Sequence, residues 1–255
     1  MPYNRELGSP WLESPNRGGG MKQRIPWNRL IAEGAVIVGS ILLAFAIDAW
    51  WDERSDDAQE AALLTGLAED FQAASDDLER VRAMHGAKSS AAAQLLSWAE
   101  SGGPDDSQLD QVEIAIGKMF AHPTFDPAMG TVQTILGSGR LDLLGNRELV
   151  GELTRWSAVV DDLSEDEENA NRHLYQSLVP FLNPRLNLKD LDKTSEIAWP
   201  GEKAPTGAHR LLSNREFQSI VFMVWSLEQN VAEGLAPAGA AIDRIARLLE
   251  GELAR

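Results

Sequence analysis

The sequence LIAEGAVIVGSILLAFAIDAWW, from Leu30 to Trp51, is the most apolar part of the chain. Its centre carries no charge, but that centre alone is shorter than the about 20 residues a membrane-spanning helix needs. Trp27 lies before it, and Trp50 and Trp51 close it, as in an aromatic belt at the headgroups. We therefore predict a transmembrane helix over residues 28–51, with the three tryptophans as interfacial anchors.

Two acids, Glu33 and Asp48, flank the apolar centre. A helix rises about 1.5 Å per residue, which places them roughly 22 Å apart along its axis. In a hydrocarbon core of about 30 Å, both then lie near the membrane edges and not at the midplane. Their unfavourable contribution to insertion is therefore well below the roughly 2.5–3.5 kcal/mol of a central charge.

The charges around this stretch predict its orientation. The sequence DERSDD follows it, while the bases Arg5, Arg17, Lys22, Arg24 and Arg29 precede it. Positive residues are retained on the cytoplasmic side. We expect an inner-membrane protein with a disordered cytoplasmic tail at residues 1–27, which is rich in proline and glycine, and with residues 52–255 in the periplasm.

Two alternatives remain open at this end of the chain. Ala44-Phe45-Ala46 has the small-residue form of a signal-peptide cleavage site. We favour an uncleaved anchor, because the tryptophan pair and the helical pattern continue past that site. Met21 opens a more typical basic segment and is an alternative translation start.

Small residues within the apolar stretch predict a helix-packing face. Ala35 with Gly39, and Ser40 with Ala44, are small residues four apart, and Gly34 extends the same face. Such pairs allow two membrane helices to approach closely. The alternative is an ordinary content of small residues. If a partner helix is present, Glu33 and Asp48 are candidates for polar contacts with it.

The remainder of the chain predicts helices. Apolar residues spaced alternately three and four apart form a heptad-like seam at Leu64, Leu67, Phe71, Ala74, Leu78 and Val81. We expect a long helix, bent near Gly66 or Gly86, and a second helical stretch from Ser89 to Trp98 that ends at the Ser-Gly-Gly-Pro sequence after it.

Later segments continue the helical pattern. Asn146 is expected to cap a helix whose buried face carries Leu149, Leu153, Trp156, Val160 and Leu163. Ser213 begins a capping box before a last helix, which Pro237 should kink or break. Residues 180–208 predict a long irregular crossing. The expected fold is all-α, with the transmembrane helix continuing into an antiparallel helical bundle.

Composition excludes several functions. The 255 residues carry a formal net charge of -16, which disfavours nucleic acid as a partner. The chain has no cysteine, which excludes disulfides, thiolate nucleophiles and cysteine-based metal sites.

No motif predicts a catalytic, cofactor or metal site. The histidines, which we expect at solvent or loop positions, lack metal-binding spacing; they are His85, His122, His173 and His209. The acidic run from Asp161 to Glu168 lacks the glycine of a calcium loop, and we interpret it as a solvated helix face.

Three segments of the chain read EGAVIVGSILLAFAIDAWWDER, TVQTILGSGRLDLLGNRELVGELTRW and LLSNREFQSIVFMVW. They resemble a bacterial family of uncharacterised single-pass membrane proteins, a domain of unknown function. The resemblance covers roughly residues 28 to 252. It implies a retained anchor and a helical exported domain, and it carries no known catalytic residues. Ala49-Trp50-Trp51 departs from the family, where polar residues surround a single tryptophan.

We therefore expect a non-enzymatic, membrane-anchored interaction or scaffold protein. Its expected partners are the lipid bilayer and either a second copy of the chain or a larger membrane complex. The alternative is a ligand-binding sensor module that works through a partner, because helical bundles bind small molecules between their helices. A hydrolase with dispersed carboxylates ranks last.

Overall fold

The structure is a computed structural model that describes residues 27–139, 141–191, 201 and 204–254. Within these residues it is helical and holds no β-strand, so the all-α prediction is confirmed. The predicted tail, the alternative start at Met21 and residues 192–200 of the predicted crossing lie outside the described residues. The chain divides into two units, Met1–Glu53 and Arg54–Arg255; we call the second the helical domain.

The first helix, α1, covers Trp27–Glu100 without interruption. The separate helical stretch expected from Ser89 is therefore wrong. Glycine destabilises a helix by only about 1 kcal/mol relative to alanine, and the buried seam on either side of Gly66 and Gly86 offsets that. The helix ends where predicted, since Gly102 and Gly103 follow it with φ of 89° and 116°.

Among the described residues, five further α-helices follow α1. They are α2 (Leu109–Lys118), α3 (Gly130–Ser138), α4 (Arg147–His173), α5 (Val179–Leu182) and α6 (Arg215–Leu253). A π-helical turn at Leu174–Leu178 joins α4 to α5. Its wider hydrogen bond, from the Val179 amide to the Leu174 carbonyl, precedes Pro180. A proline ring clashes with the carbonyl four residues earlier in an α-helix, and the wider turn relieves that clash.

The helix caps follow the sequence closely. Asn146 caps α4 as predicted, since its side chain accepts hydrogen bonds from the amides of Glu148 and Leu149. At α6 the cap is Asn214, one residue after the predicted Ser213, and it accepts from the Phe217 amide.

Pro237 lies inside α6, so of the kink or break predicted there, the break does not occur. An internal proline destabilises a helix by about 3 kcal/mol. Buried residues on both sides of Pro237 hold this segment in the core, among them Leu235 and Ala238. Packing therefore overrides the local preference.

Two apolar clusters form the core of the helical domain. The first apolar cluster draws on α1, α4 and α6 at residues 64–81, 149–170 and 231–249. The second apolar cluster contains residues 91–98 of α1, residues 174–182 of the π-helical turn and α5, and residues 217–224 of α6. Residues of α2 also belong to it. Along α1, and along α4 into the π-helical turn, residue numbers increase from the first apolar cluster to the second. Along α6 they decrease.

Candidate functional site

The predicted membrane stretch forms part of α1, and its apolar side chains are exposed. Their exposed fractions range from 50% at Ile41 to 68% at Val36. Within the described residues, α1 is the one helix long and apolar enough to cross a membrane, and its apolar window is not covered by the rest of the protein. A secretion signal near the N-terminus would satisfy the same criterion.

The other predicted residues of this stretch are also exposed. The Trp50 and Trp51 rings lie 6.3 Å apart, edge to face, while α1 begins at Trp27, whose side chain lies outside the described residues. Glu33 and Asp48 lie on the exposed surface of α1.

The predicted packing face consists of Gly34, Ala35, Gly39, Ser40 and Ala44, all exposed on α1. The hydroxyl of Ser40 donates to the Val36 carbonyl at 2.7 Å, within the same helix. A Cβ added at Gly34 or Gly39 would meet no atom within 4 Å. Its role stays a prediction.

The position of one histidine contradicts the sequence-based expectation. His85 is only 2% exposed in the interior of the helical domain, whereas His122 lies in a loop as predicted. The expectation of a solvated face for the acidic run is wrong at Glu167, which is 3% exposed. Neither residue type is usually fully buried without a partner.

These two residues belong to a buried group of four charged side chains, which we call the charge layer: His85, Lys88, Glu167 and Glu228. His85 and Lys88 are on α1, Glu167 is on α4 and Glu228 is on α6. On α1 and α6 they lie between residues of the first and the second apolar cluster, whereas Glu167 on α4 lies between Leu163 and Ala170 of the first. The charge layer therefore lies at the boundary of the two apolar clusters on α1 and α6.

Short contacts connect the members of the charge layer. His85 Nδ1 lies 2.6 Å from Glu228 Oε2, which is a hydrogen bond. Lys88 Nζ lies 2.8 Å from Glu228 Oε1, an ion pair without the alignment of a hydrogen bond. His85 Nε2 lies 3.6 Å from Glu167 Oε1, too far for a hydrogen bond but close enough for strong attraction in a dry interior.

Glu167 also binds the loop between α2 and α3. Its two carboxylate oxygens accept from the Phe125 amide at 3.2 and 3.1 Å. The Phe125 side chain is buried, and its ring lies edge to face with Trp156 at 6.1 Å. The centroids of the Trp156 and Phe71 rings lie 5.3 Å apart, and Phe71 is on α1. These contacts hold the loop at residues 121–129 through Phe125, and a further ring contact joins His122 of the loop to Tyr175, with centroids 6.2 Å apart.

The contacts change the acidity of two members of the charge layer. Burial alone lowers the pKa of His85, but the carboxylates of Glu167 and Glu228 outweigh burial and raise that pKa above 6.5. Burial alone raises the pKa of Glu228, but His85 and Lys88 outweigh it and lower that pKa below 4.5. These shifts favour His85 as an imidazolium and Glu228 as a carboxylate.

The signal for the charge layer was present in the sequence. The seam of α1 continues with the same three–four spacing through Val81, His85, Lys88, Ala92 and Leu95. Glu167 lies four residues after Leu163 on α4, and Glu228 lies four residues after Val224 on α6. Extending each apolar seam through its polar interruptions would have identified all four residues.

A groove of about 480 Å³ lies beside the π-helical turn, between that turn and α6. Two of its polar side chains, those of His173 and Arg185, are engaged within the protein. His173 Nε2 lies 3.1 Å from the Ile220 carbonyl, and Arg185 donates to the Phe181 carbonyl at 2.7 Å. Arg185 also lies over the Phe181 ring at 3.9 Å. Gln176 and Ser177 also line the groove.

Comparison of the chain with protein-family models, with curated proteins and with solved structures gave no match. The chemistry of the site therefore rests on its geometry. The members of the charge layer are 1–3% exposed and are paired with one another. Such an arrangement can hold helices in register and can respond to protons.

Proposed function

We propose that this chain is a membrane-anchored interaction or scaffold protein without enzymatic activity. In this proposal the helix at residues 28–51 crosses the inner membrane with its N-terminus in the cytoplasm. Residues 52–255 then form an antiparallel helical bundle in the periplasm, and they bind a second copy of the chain or a larger membrane complex.

One observation carries the proposal: the apolar side chains from Ile31 to Trp51 are exposed along α1. A continuous apolar surface of this size is unfavourable in water and favourable in lipid. The tryptophan pair at its end and the bases before it support the same placement. The family resemblance of the sequence is consistent with it.

The core of the helical domain supports a role in holding shape. Buried ionic groups contribute little net stability, and their best documented use is to select one register of helix packing. The charge layer couples α1, α4 and α6 in this way. The ligand-binding alternative has weaker support, because His173 and Arg185 at the groove are bonded to the backbone.

Replacing Ile41 with arginine tests the anchor. Ile41 lies about midway between Glu33 and Asp48, so the new charge falls near the membrane midplane. The change is expected to disfavour insertion by about 2.5–3.5 kcal/mol, or on the order of a hundredfold. The full chain should then shift from the carbonate-resistant membrane pellet to the supernatant.

Asp48→Asn is the matched control, because it removes a charge at the membrane edge and should remain in the pellet. N-terminal sequencing of the pelleted protein distinguishes a retained anchor from a signal peptide cleaved after Ala46. A wild-type chain that is carbonate-soluble, or that is cleaved there, contradicts the anchor.

The interaction role has its own test. We expect the full chain, extracted in a mild detergent, to migrate as an oligomer or with a co-purifying membrane protein when its mass is measured by light scattering. The measurement must subtract the mass of the detergent. A strictly monomeric particle at all concentrations contradicts this part of the proposal.

A further inference from the structure

We propose that the charge layer is a pH-responsive latch, which holds the loop at residues 121–129 while His85 carries a proton. The contacts run continuously from Glu228 through His85 and Glu167 to the Phe125 amide. They join α6, α1, α4 and the loop. A change in the charge of His85 therefore reaches the loop through one carboxylate.

The balance of charge explains the response. His85 faces Glu167 on α4 and Glu228 on α6, while Lys88 on its own helix faces Glu228. With His85 protonated, the layer holds formally two positive and two negative charges. Without that proton, one ammonium remains for two carboxylates. An uncompensated charge in a dry interior is strongly unfavourable, so the packing around it must open.

Loss of the contact between Glu167 and the Phe125 amide would release the loop. His85 is its ionic partner within α1, at 3.6 Å, and the Phe125 amide is its hydrogen-bond donor from the loop. If His85 becomes neutral, the Glu167 carboxylate lowers its free energy by turning towards water. The Phe125 amide then loses its acceptor, and the ring contacts of Phe125 with Trp156 and of His122 with Tyr175 remain.

The direction of the pH dependence follows from the two shifted groups. The raised pKa of His85 means that its contribution to stability is complete below about 6.5 and is lost as pH rises through that raised pKa. The lowered pKa of Glu228 means that its contribution is present above about 4.5 and is lost as pH falls through that lowered pKa. Both contributions are present between these two limits.

The test uses the full chain in detergent micelles, from about pH 5.5 to about pH 8.5, the range in which histidines titrate. Urea unfolding is followed by tryptophan fluorescence at each pH. The folding equilibrium constant should fall above about pH 6.5, by up to tenfold per pH unit. Hydrogen exchange of peptides covering residues 121–129, corrected for intrinsic rates, should accelerate over the same range.

His85→Gln should flatten both profiles, because glutamine keeps a polar group but does not titrate. His209→Gln is the matched control outside the charge layer, and it should keep the wild-type profiles. A wild-type profile that does not fall above about pH 6.5, or a fall that persists in His85→Gln, overturns the latch.

A second measurement covers the case in which His85→Gln does not fold. Nuclear magnetic resonance of the wild-type chain with labelled histidines should show one imidazole that titrates above about 6.5 together with release of the loop. If no imidazole titrates above that value, the latch is wrong. None of these outcomes depends on the membrane anchor, which the carbonate extraction tests separately.

Discussion

Replacing Glu228 with alanine is expected to destabilise the helical domain by about 3–5 kcal/mol, because it leaves two buried cations without their shared partner. Glu228 is 1% exposed, and it contacts His85 at 2.6 Å and Lys88 at 2.8 Å. A typical domain is stable by only about 5–15 kcal/mol, so the loss is a large part of the total. Urea unfolding of the full chain in detergent, at neutral pH, measures it.

Two further variants make this result specific to the charge layer. Glu233→Ala removes an exposed carboxylate from the same helix and should change stability by no more than about 0.5 kcal/mol. Combining Lys88→Met with Glu228→Gln leaves the buried pair of His85 and Glu167, and should recover much of the loss. If Glu228→Ala is as mild as Glu233→Ala, the charge layer is not a paired network.

The helices were predictable from the sequence, because each buries an apolar face with a regular period. Leu149, Leu153 and Trp156 are buried as predicted on α4, and α4 starts at the predicted cap. Helix ends also follow local chemistry, as at Gly102 and Gly103, whose positive φ angles suit glycine. These features depend on neighbours within a few residues.

The continuity of α1 and α6 was not predictable in the same way. Gly66, Gly86 and Pro237 weaken a helix locally, and a local reading of the sequence favours a bend or a break at each. Buried contacts with distant helices outweigh that weakness. The decision depends on tertiary packing, which a single sequence does not display.

The charge layer was missed for a related reason. A search for apolar periodicity treats a histidine or a glutamate as a surface residue, and that is usually correct. Here the burial of Glu228 depends on His85, which is 143 positions away along the chain. The seams of the three helices pass through these positions, but burying each charge is favourable only because its partner lies opposite it.

Replacing Trp156 with alanine is expected to destabilise the helical domain by about 3–5 kcal/mol, as for other large aromatic residues removed from a core. Trp156 is 1% exposed and lies between Phe71 of α1 and Phe125 of the loop. The substitution would remove the contact between the Trp156 and Phe125 rings but leave the hydrogen bond between the Phe125 amide and Glu167. Urea unfolding measures the stability, and hydrogen exchange of residues 121–129 measures the loop.

The two contacts of the loop can then be compared. Trp156→Phe is the conservative control, because a smaller ring keeps part of the contact and should retain more of the stability than alanine. In Trp156→Ala the Glu167 contact is the remaining attachment among those described for Phe125, so loop exchange should depend on pH more steeply than in the wild type. A loop that is fully protected at all pH values in Trp156→Ala would mean that neither contact holds it.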